Sequence, residues 1–262
     1  MINKQNIKEV LRHNMELLPS ISSKVEITRE QGLSFRYKPI DSIKNYLIKE
    51  AQVLQFPSNN SNYGGLVSYR NGRFYIHINT GQPKTYENLM WAHEYYHFKY
   101  EAEEIRNADI RTFFEEAITN EKERSANLFA AELLVDSRLL EEQFKEITLL
   151  YSNEPLVNKV IRLIPIFEIP YKALVVKLAQ NTLIEEEEAV QIIDYPYRDN
   201  LPADFDQTIL KPSMAIKINN LEALLADETI IQNMSEFDLK SFQSVFLKHF
   251  ASLEVLREGK KK

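Results

Sequence analysis

The sequence predicts an α+β fold: a small antiparallel sheet packed against two helices that carry a metal site, followed by a mainly helical C-terminal region. Three observations carry this prediction. Asn71-Gly72 stands between two short runs, Leu66-Val67-Ser68-Tyr69 and Phe74-Tyr75-Ile76-His77-Ile78-Asn79, and Asn-Gly between alternating runs is the strongest short-range hairpin signal. Apolar residues recur at helical spacing on both sides of that hairpin. The stretch His93-Glu94-Tyr95-Tyr96-His97 sets two imidazoles four residues apart, on one helix face and ~6 Å apart along its axis.

Taken in order, residues 3–18 read as a helix, with Ile7, Val10, Leu11, Met15 and Leu18 inward. Residues 42–51 form a second, burying Ile43, Tyr46, Leu47 and Ala51. Residues 53–56 are a short apolar run, read as a strand stopped by Pro57, and 58–65 are a loop by composition. In the hairpin's second strand Phe74, Ile76 and Ile78 share one face, while Tyr75 and His77 share the other. Thr80-Gly81-Gln82-Pro83 breaks that strand, and Thr85 is the expected cap of a helix over 86–100. An acidic segment, 101–109, reads as a helix end and a loop. Residues 113–134 are helical, with Glu123, Ala126, Asn127, Ala130, Leu133 and Leu134 on one stripe.

Further on, residues 139–151 continue as helix, and 157–184 read as two short helices broken at Pro165 and Ile169-Pro170. A helix–turn–helix there has only Lys172 and Lys177 as basic residues in its second helix, with Glu185 to Glu188 following. That is poor phosphate-binding chemistry, so a packing module is expected. Residues 194–212, with Pro196, Pro202 and Pro212, read as an irregular linker. Ser235, with Asp238 three residues on, is the expected cap of a last helix. Its stripe is Leu239, Phe242, Phe246, Phe250 and Leu253, with His249 at its edge; Gly259 to Lys262 read as a frayed basic tail. The domain division expected is 1–41, an N-terminal helical segment; 42–150, the metal-bearing domain; 151–192, a small helical region; and 193–262, linker and helices.

Composition narrows the chemistry. The net charge of −6 argues against a general affinity for nucleic acid. Cysteine is absent, so there is no disulfide framework, and a metal must be held by His, Asp or Glu. The first residues lack an apolar signal core, and no apolar run approaches the ~20 residues of a membrane span. A soluble cytoplasmic protein is expected.

Neutral imidazoles at i and i+4 suit zinc, and a carboxylate between them that is not itself a ligand suits a general base. His93 and His97 are therefore expected ligands and Glu94 the expected base. A metal-free exposed face is the bland alternative; the apolar flanks Leu89 to Ala92, Phe98 and Tyr100 argue for a buried helix, in which unpaired polar groups are costly. Glu123 looks along an apolar face and needs a partner. A zinc ion on the neighbouring helix supplies one; a Lys or Arg would be another. Glu101 would have to fold back along its own helix, and Glu115, Glu116 and Glu121 sit on other faces. His77 is a third His within reach in sequence, and strand His residues are more often surface or satisfied groups. Tyr96, like Tyr95, can offer a phenol to an oxyanion, although Tyr on a buried helix is usually core.

The run Glu123-Arg124-Ser125-Ala126-Asn127-Leu128-Phe129-Ala130-Ala131-Glu132-Leu133-Leu134 resembles the Glu-x-x-Ala-Asn-x-Phe-Ala-x-x-Leu-Leu signature of the ImmA/IrrE family of zinc metallopeptidases. The upstream order is similar: helix, glycine-containing hairpin, strand ending in Ile-Asn, His-Glu-x-x-His helix. The resemblance covers residues 42–136 well and extends more weakly to 184. It implies a zincin-like core, one catalytic Zn2+ held by His93, His97 and Glu123, and Glu94 as base. Two positions depart from the family pattern: Tyr96 stands where a Gly is usual, and Val135-Asp136 where Met-Pro is usual. The resemblance further implies a regulatory protease whose protein substrates are helix–turn–helix repressors. The rival expectation is a non-catalytic interaction protein with a structural or degenerate zinc site. Neither nucleic acid nor membrane is expected as a partner.

Overall fold

The computed structural model describes residues 2–60, 62–107, 120–218, 232 and 235–259, with the side chains of residues 33, 238, 242, 243, 245 and 246 left aside. The elements run α1 (Ile7–Arg29), α2 (Leu33–Tyr37), α3 (Pro39–Glu50), β1 (Gln52–Phe56), β2 (Gly65–Arg70), β3 (Arg73–Asn79), α4 (Lys84–Tyr100), α5 (Ala102–Asn107), α6 (Glu121–Leu134), α7 (Ser137–Leu150), α8 (Leu156–Phe167), α9 (Tyr171–Gln180) and α10 (Glu186–Ile192). Two 3-10 turns follow, then β4 (Lys217–Ile218) and α11 (Glu236–Gly259). The expected α+β class holds.

The sheet is mixed, in the order β2-β3-β1-β4. Its hairpin is antiparallel, as expected, with Tyr69 opposite Phe74 and Leu66 opposite His77. Asn71 and Gly72 both take positive φ, +47° and +80°, the conformation a two-residue hairpin turn needs. β1 instead runs parallel to β3, with Val53 opposite Ile76. The reason is connectivity: the loop after β1 carries the chain to the far edge, so β2 becomes the outer strand and β3 returns alongside β1. β4 closes the other edge, antiparallel to β1.

The apolar interior forms two clusters. One gathers Val53, Val67, Ile76 and Ile78 from the sheet with Trp91 and Tyr95 of α4 and Phe129 of α6. The other gathers α7 to α10 around Leu140, Ile161, Leu174 and Ile193. α1 spans both, with Ile7, Val10 and Leu11 in the second and Ile21 and Val25 in the first. This is why it outruns the expected 3–18: Pro19 removes a single amide donor, while the residues beyond it still bury apolar surface. Such burial yields roughly 1.5–3 kcal/mol per large side chain.

Two other boundaries differ. Pro165 lies within α8, and the helix ends at Glu168, which is left-handed (φ 52°). That corner is held from a distance, because Asn88 Nδ2 of α4 donates to the Glu168 carbonyl and carboxylate at 3.3 and 3.1 Å. α7 is a separate helix, started by Asp136, whose carboxylate accepts from the Arg138 and Leu139 amides. A proline there could not make that cap. The last helix begins directly after Ser235, as expected; of its expected stripe Leu239, Phe250 and Leu253 are half-buried, while Phe242 and Phe246 lie outside the described side chains. The tail at 260–262 also lies outside the described residues. Among the described residues no helix is long and apolar enough to cross a membrane.

Candidate metal centre

Each half of the site is set up by its own helix. α4 begins at Lys84 after Pro83, one residue before the expected cap. Thr85 is therefore inside the first turn, its hydroxyl buried without a hydrogen-bond partner among the described residues. The free amide of Lys84 is taken by the Lys211 carbonyl at 3.1 Å, so a returning segment replaces the local cap. α6 is capped locally by Asn120, whose side chain accepts from the Lys122 amide. It starts at Glu121; residues 113–119 of the longer expected helix lie outside the described residues. Ala126 and Ala130 are fully buried, and such small side chains bring helix axes close. Tyr95 and Tyr96 ring centroids sit 6.1 and 5.3 Å from that of Phe129.

This packing brings His93, His97 and Glu123 together. The two Nε2 atoms are 3.1 Å apart. Glu123 Oε2 is 3.2 Å from His93 Nε2, and Oε1 is 3.3 Å from His97 Nε2. The edge of a tetrahedron with ~2.0–2.1 Å metal–ligand bonds is ~3.3 Å, so the three donors have the mutual spacing that would suit a zinc ion. The remaining ring nitrogens fix the tautomers. His97 Nδ1 donates to Glu101 Oε2 at 2.7 Å, and His93 Nδ1 donates to Asn127 Oδ1 at 3.2 Å. Both Nε2 lone pairs therefore face each other and a carboxylate, an arrangement that needs a positive charge between them. No other His, Asp or Glu group among the described residues offers three such atoms.

The electrostatics agree. Burial disfavours the charged form of His97, but Glu101 and Glu123 outweigh it and raise its pKa to about 10. Burial likewise opposes the Glu123 carboxylate, and the two imidazoles more than offset it, holding its pKa well below the usual range. Without a metal, a proton on His97 supplies the missing cation.

Glu94 is almost fully buried, 3 % exposed, and burial pushes its pKa up against the opposing charges of His93 and His97. It lies against the start of β2: a Cβ added to Gly65 would stand 2.5 Å from Glu94 Oε1 and 2.8 Å from the His77 carbonyl oxygen. Glycine is needed here for close approach, not for φ.

The two residues named as possible oxyanion or substrate contacts go elsewhere. His77 Nε2 donates to the Phe56 carbonyl at 3.1 Å, and Nδ1 accepts from the Tyr63 hydroxyl at 2.6 Å. Both ring nitrogens are spent, and the ring is stacked on Phe56 at 3.8 Å. His77 is buried between Phe56 and Tyr63, on the strand face opposite Ile76 and Ile78. Tyr96 packs on Phe129, and its hydroxyl accepts from Lys24 Nζ of α1 at 2.7 Å. Its phenol is thereby directed to the α1 side and occupied there. In place of these two, the site has Glu101 and Asn127. Glu101 does fold back along its own helix, where it holds His97 Nδ1 at the i, i+4 spacing that the sequence already displays. Asn127 lies in the signature run and follows Glu123 by four residues; its Nδ2 donates to the Glu123 carbonyl at 2.8 Å.

Residues 51–178 match the family model described as the IrrE N-terminal-like domain of peptidase family M78. No curated protein and no solved structure matches the chain. The matched stretch contains His93, Glu94, His97, Glu101, Glu123 and Asn127, so the whole candidate site lies in the part of the chain that is similar to the IrrE N-terminal-like domain of peptidase family M78.

Proposed function

We propose that the chain is a zinc-dependent endopeptidase, with His93, His97 and Glu123 as ligands, Glu94 as general base, and a helix–turn–helix repressor as its regulatory substrate. The observation that carries this reading is the mutual 3.1–3.3 Å spacing of the three donors, with a buried, non-ligating carboxylate on the same helix. A zinc ion held there would acidify a water and polarise the scissile carbonyl. Glu94 takes the proton of the attacking water and returns it to the leaving nitrogen. Burial raises its pKa, which suits a group that must both accept and donate near neutral pH. β2 is the outer strand of the sheet and begins at Gly65 beside Glu94. An extended peptide pairing along that edge would lie next to the base. The resemblance to the ImmA/IrrE family supports the repressor as substrate, and the cytoplasm as the place of action.

The test is Glu94→Gln. Zinc content should match the parent, while cleavage of purified helix–turn–helix repressors should vanish. A variant that cleaves like the parent removes Glu94 from its role, and a zinc-loaded parent that cleaves none of them removes the repressor.

A further inference from the structure

On the far side of α4 from the metal centre lies a cavity. Lys84, Glu87 and Trp91 fall at i, i+3 and i+7 on one stripe of α4. His93 and His97 are turned about 200° and 240° from Trp91 around the axis. That stripe borders this cavity, which is open-sided, about 540 Å³ in volume and lined also by α3, β1 and the returning segment that ends in β4. Ser213 and Lys217 of that segment lie outside the 51–178 family domain.

The cavity's charges are not balanced. Lys84 Nζ is held by Glu87 at 2.8 Å, and the other oxygen of Glu87 accepts from Ser213 Oγ at 2.5 Å. Glu87 is thereby spent. Lys44 and Lys217 also line the cavity, as does Asp41, so three lysines face two carboxylates. Asp41 and Glu87 act on Lys44 from a distance, and among the described residues no carboxylate lies within ion-pair distance of the Lys44 or Lys217 ammonium. Lys44 is half-buried, beside Lys84 and 5.5 Å over the Trp91 ring. A half-buried ammonium next to a like charge is costly unless an anion completes it. Gln55 adds amide donors, while Ile48 and Ala215 supply apolar wall. The volume falls in the range of small-molecule sites and exceeds what a lone inorganic anion fills.

We propose that this cavity binds a small phosphate-bearing anion, with Lys44 and Lys217 on the phosphate. Two free ammonium groups match its double charge, and the apolar wall accommodates an organic ester group. Because α3, α4 and the returning segment all line the cavity, the ligand would clasp that segment onto the peptidase domain.

The sequence supplies its own reporter, since Trp91 is the only tryptophan. The full chain is titrated with adenosine monophosphate, inorganic phosphate and adenosine at constant ionic strength, following tryptophan emission. Saturable changes with adenosine monophosphate in the low-millimolar range or below are expected, and none with adenosine. Phosphate saturating more weakly than the ester identifies an ester ligand; equal affinity identifies free phosphate. Lys44→Ala and, separately, Lys217→Ala should each weaken binding by about tenfold, the loss of one charge-assisted contact, with zinc content unchanged. Lys217 is exposed, so its variant tests the site even where Lys44→Ala fails to fold. The proposal is overturned if neither phosphate probe gives a saturable change, if adenosine binds as well, or if both variants bind like the parent.

Discussion

Removing the Glu101 carboxylate should weaken zinc binding while leaving the proposed ligands His93, His97 and Glu123 in place. Glu101 Oε2 accepts from His97 Nδ1 at 2.7 Å, with both side chains largely shielded, 13 % and 10 % exposed. A carboxylate behind a ligating imidazole sets its orientation and raises its basicity; its loss costs 10–100-fold in metal affinity, about 1.4–2.7 kcal/mol. The short, charge-assisted contact places Glu101→Ala near the upper end. Asn127 does the same service for His93, but as a neutral acceptor at 3.2 Å, so Asn127→Ala should sit near the lower end, roughly tenfold. Glu101→Gln keeps an acceptor without the charge and should resemble Asn127→Ala. The helix end itself is safe, since the Glu101 amide bonds to the His97 carbonyl whatever the side chain. Competition with a zinc chelator at fixed pH gives the affinities, circular dichroism checks the fold, and Glu103→Ala, an exposed neighbour, is the control. Parent-like affinity in both Glu101→Ala and Asn127→Ala would refute the support assigned to these residues.

Other perturbations follow from the same geometry. Gly65→Ala must open its contacts with Glu94 Oε1 (2.5 Å) and the His77 backbone carbonyl (2.8 Å) toward ~3.4 Å, a shift on the 1 Å scale that costs about 100-fold in rate; zinc content should be unchanged while turnover falls, and full turnover would show that Glu94 has room. His77, buried and neutral, has its pKa lowered by burial to about 4 from 6.5. The stability this confers is complete above pH 6.5 and is lost as pH falls toward 4, up to about 3 kcal/mol. Denaturant titrations at several pH values should show a shallower acid slope in His77→Gln, and identical slopes would count against the assignment. Lys177 is 2 % exposed and pairs with Glu132 of α6 at 2.5 Å, while Gln180 donates to the same carboxylate and accepts from Asn14 of α1. Lys177→Ala strands that acid and should cost ~3–5 kcal/mol in thermal or chemical unfolding; a loss under ~1 kcal/mol would mean the acid finds other relief.

The fate of His77 shows where reading a sequence meets its limit. Its alternation with Ile76 and Ile78 correctly put it on the other face of the strand. Its partners, Phe56 and the Tyr63 hydroxyl, arrive from another strand and a loop, so nothing within the hairpin announces them. Tyr96 is similar: its place on α4 follows from period, but Lys24 of α1 lies 72 residues away. The Thr85 cap failed for a related reason. Local chemistry favoured it, and a carbonyl from residue 211 made it unnecessary. The direction of β1 was equally hidden, because it depends on which edge the next hairpin takes.

What the sequence alone determined is everything that repeats within a turn or a pleat. The helical period places His93, His97 and Glu101 on one face of α4 and Glu123 with Asn127 on one stripe of α6, and the Asn-Gly turn sets the hairpin. Tertiary packing alone decided that these two faces meet at 3.1–3.3 Å, that Asn127 rather than a solvent molecule orients His93, and that the chain returns from residue 211 to cover the start of α4. Periodicity is written in neighbouring side chains, whereas the closeness of two helices depends on Ala126, Ala130 and Phe129 finding Tyr95 and Tyr96 across a contact that no local pattern encodes.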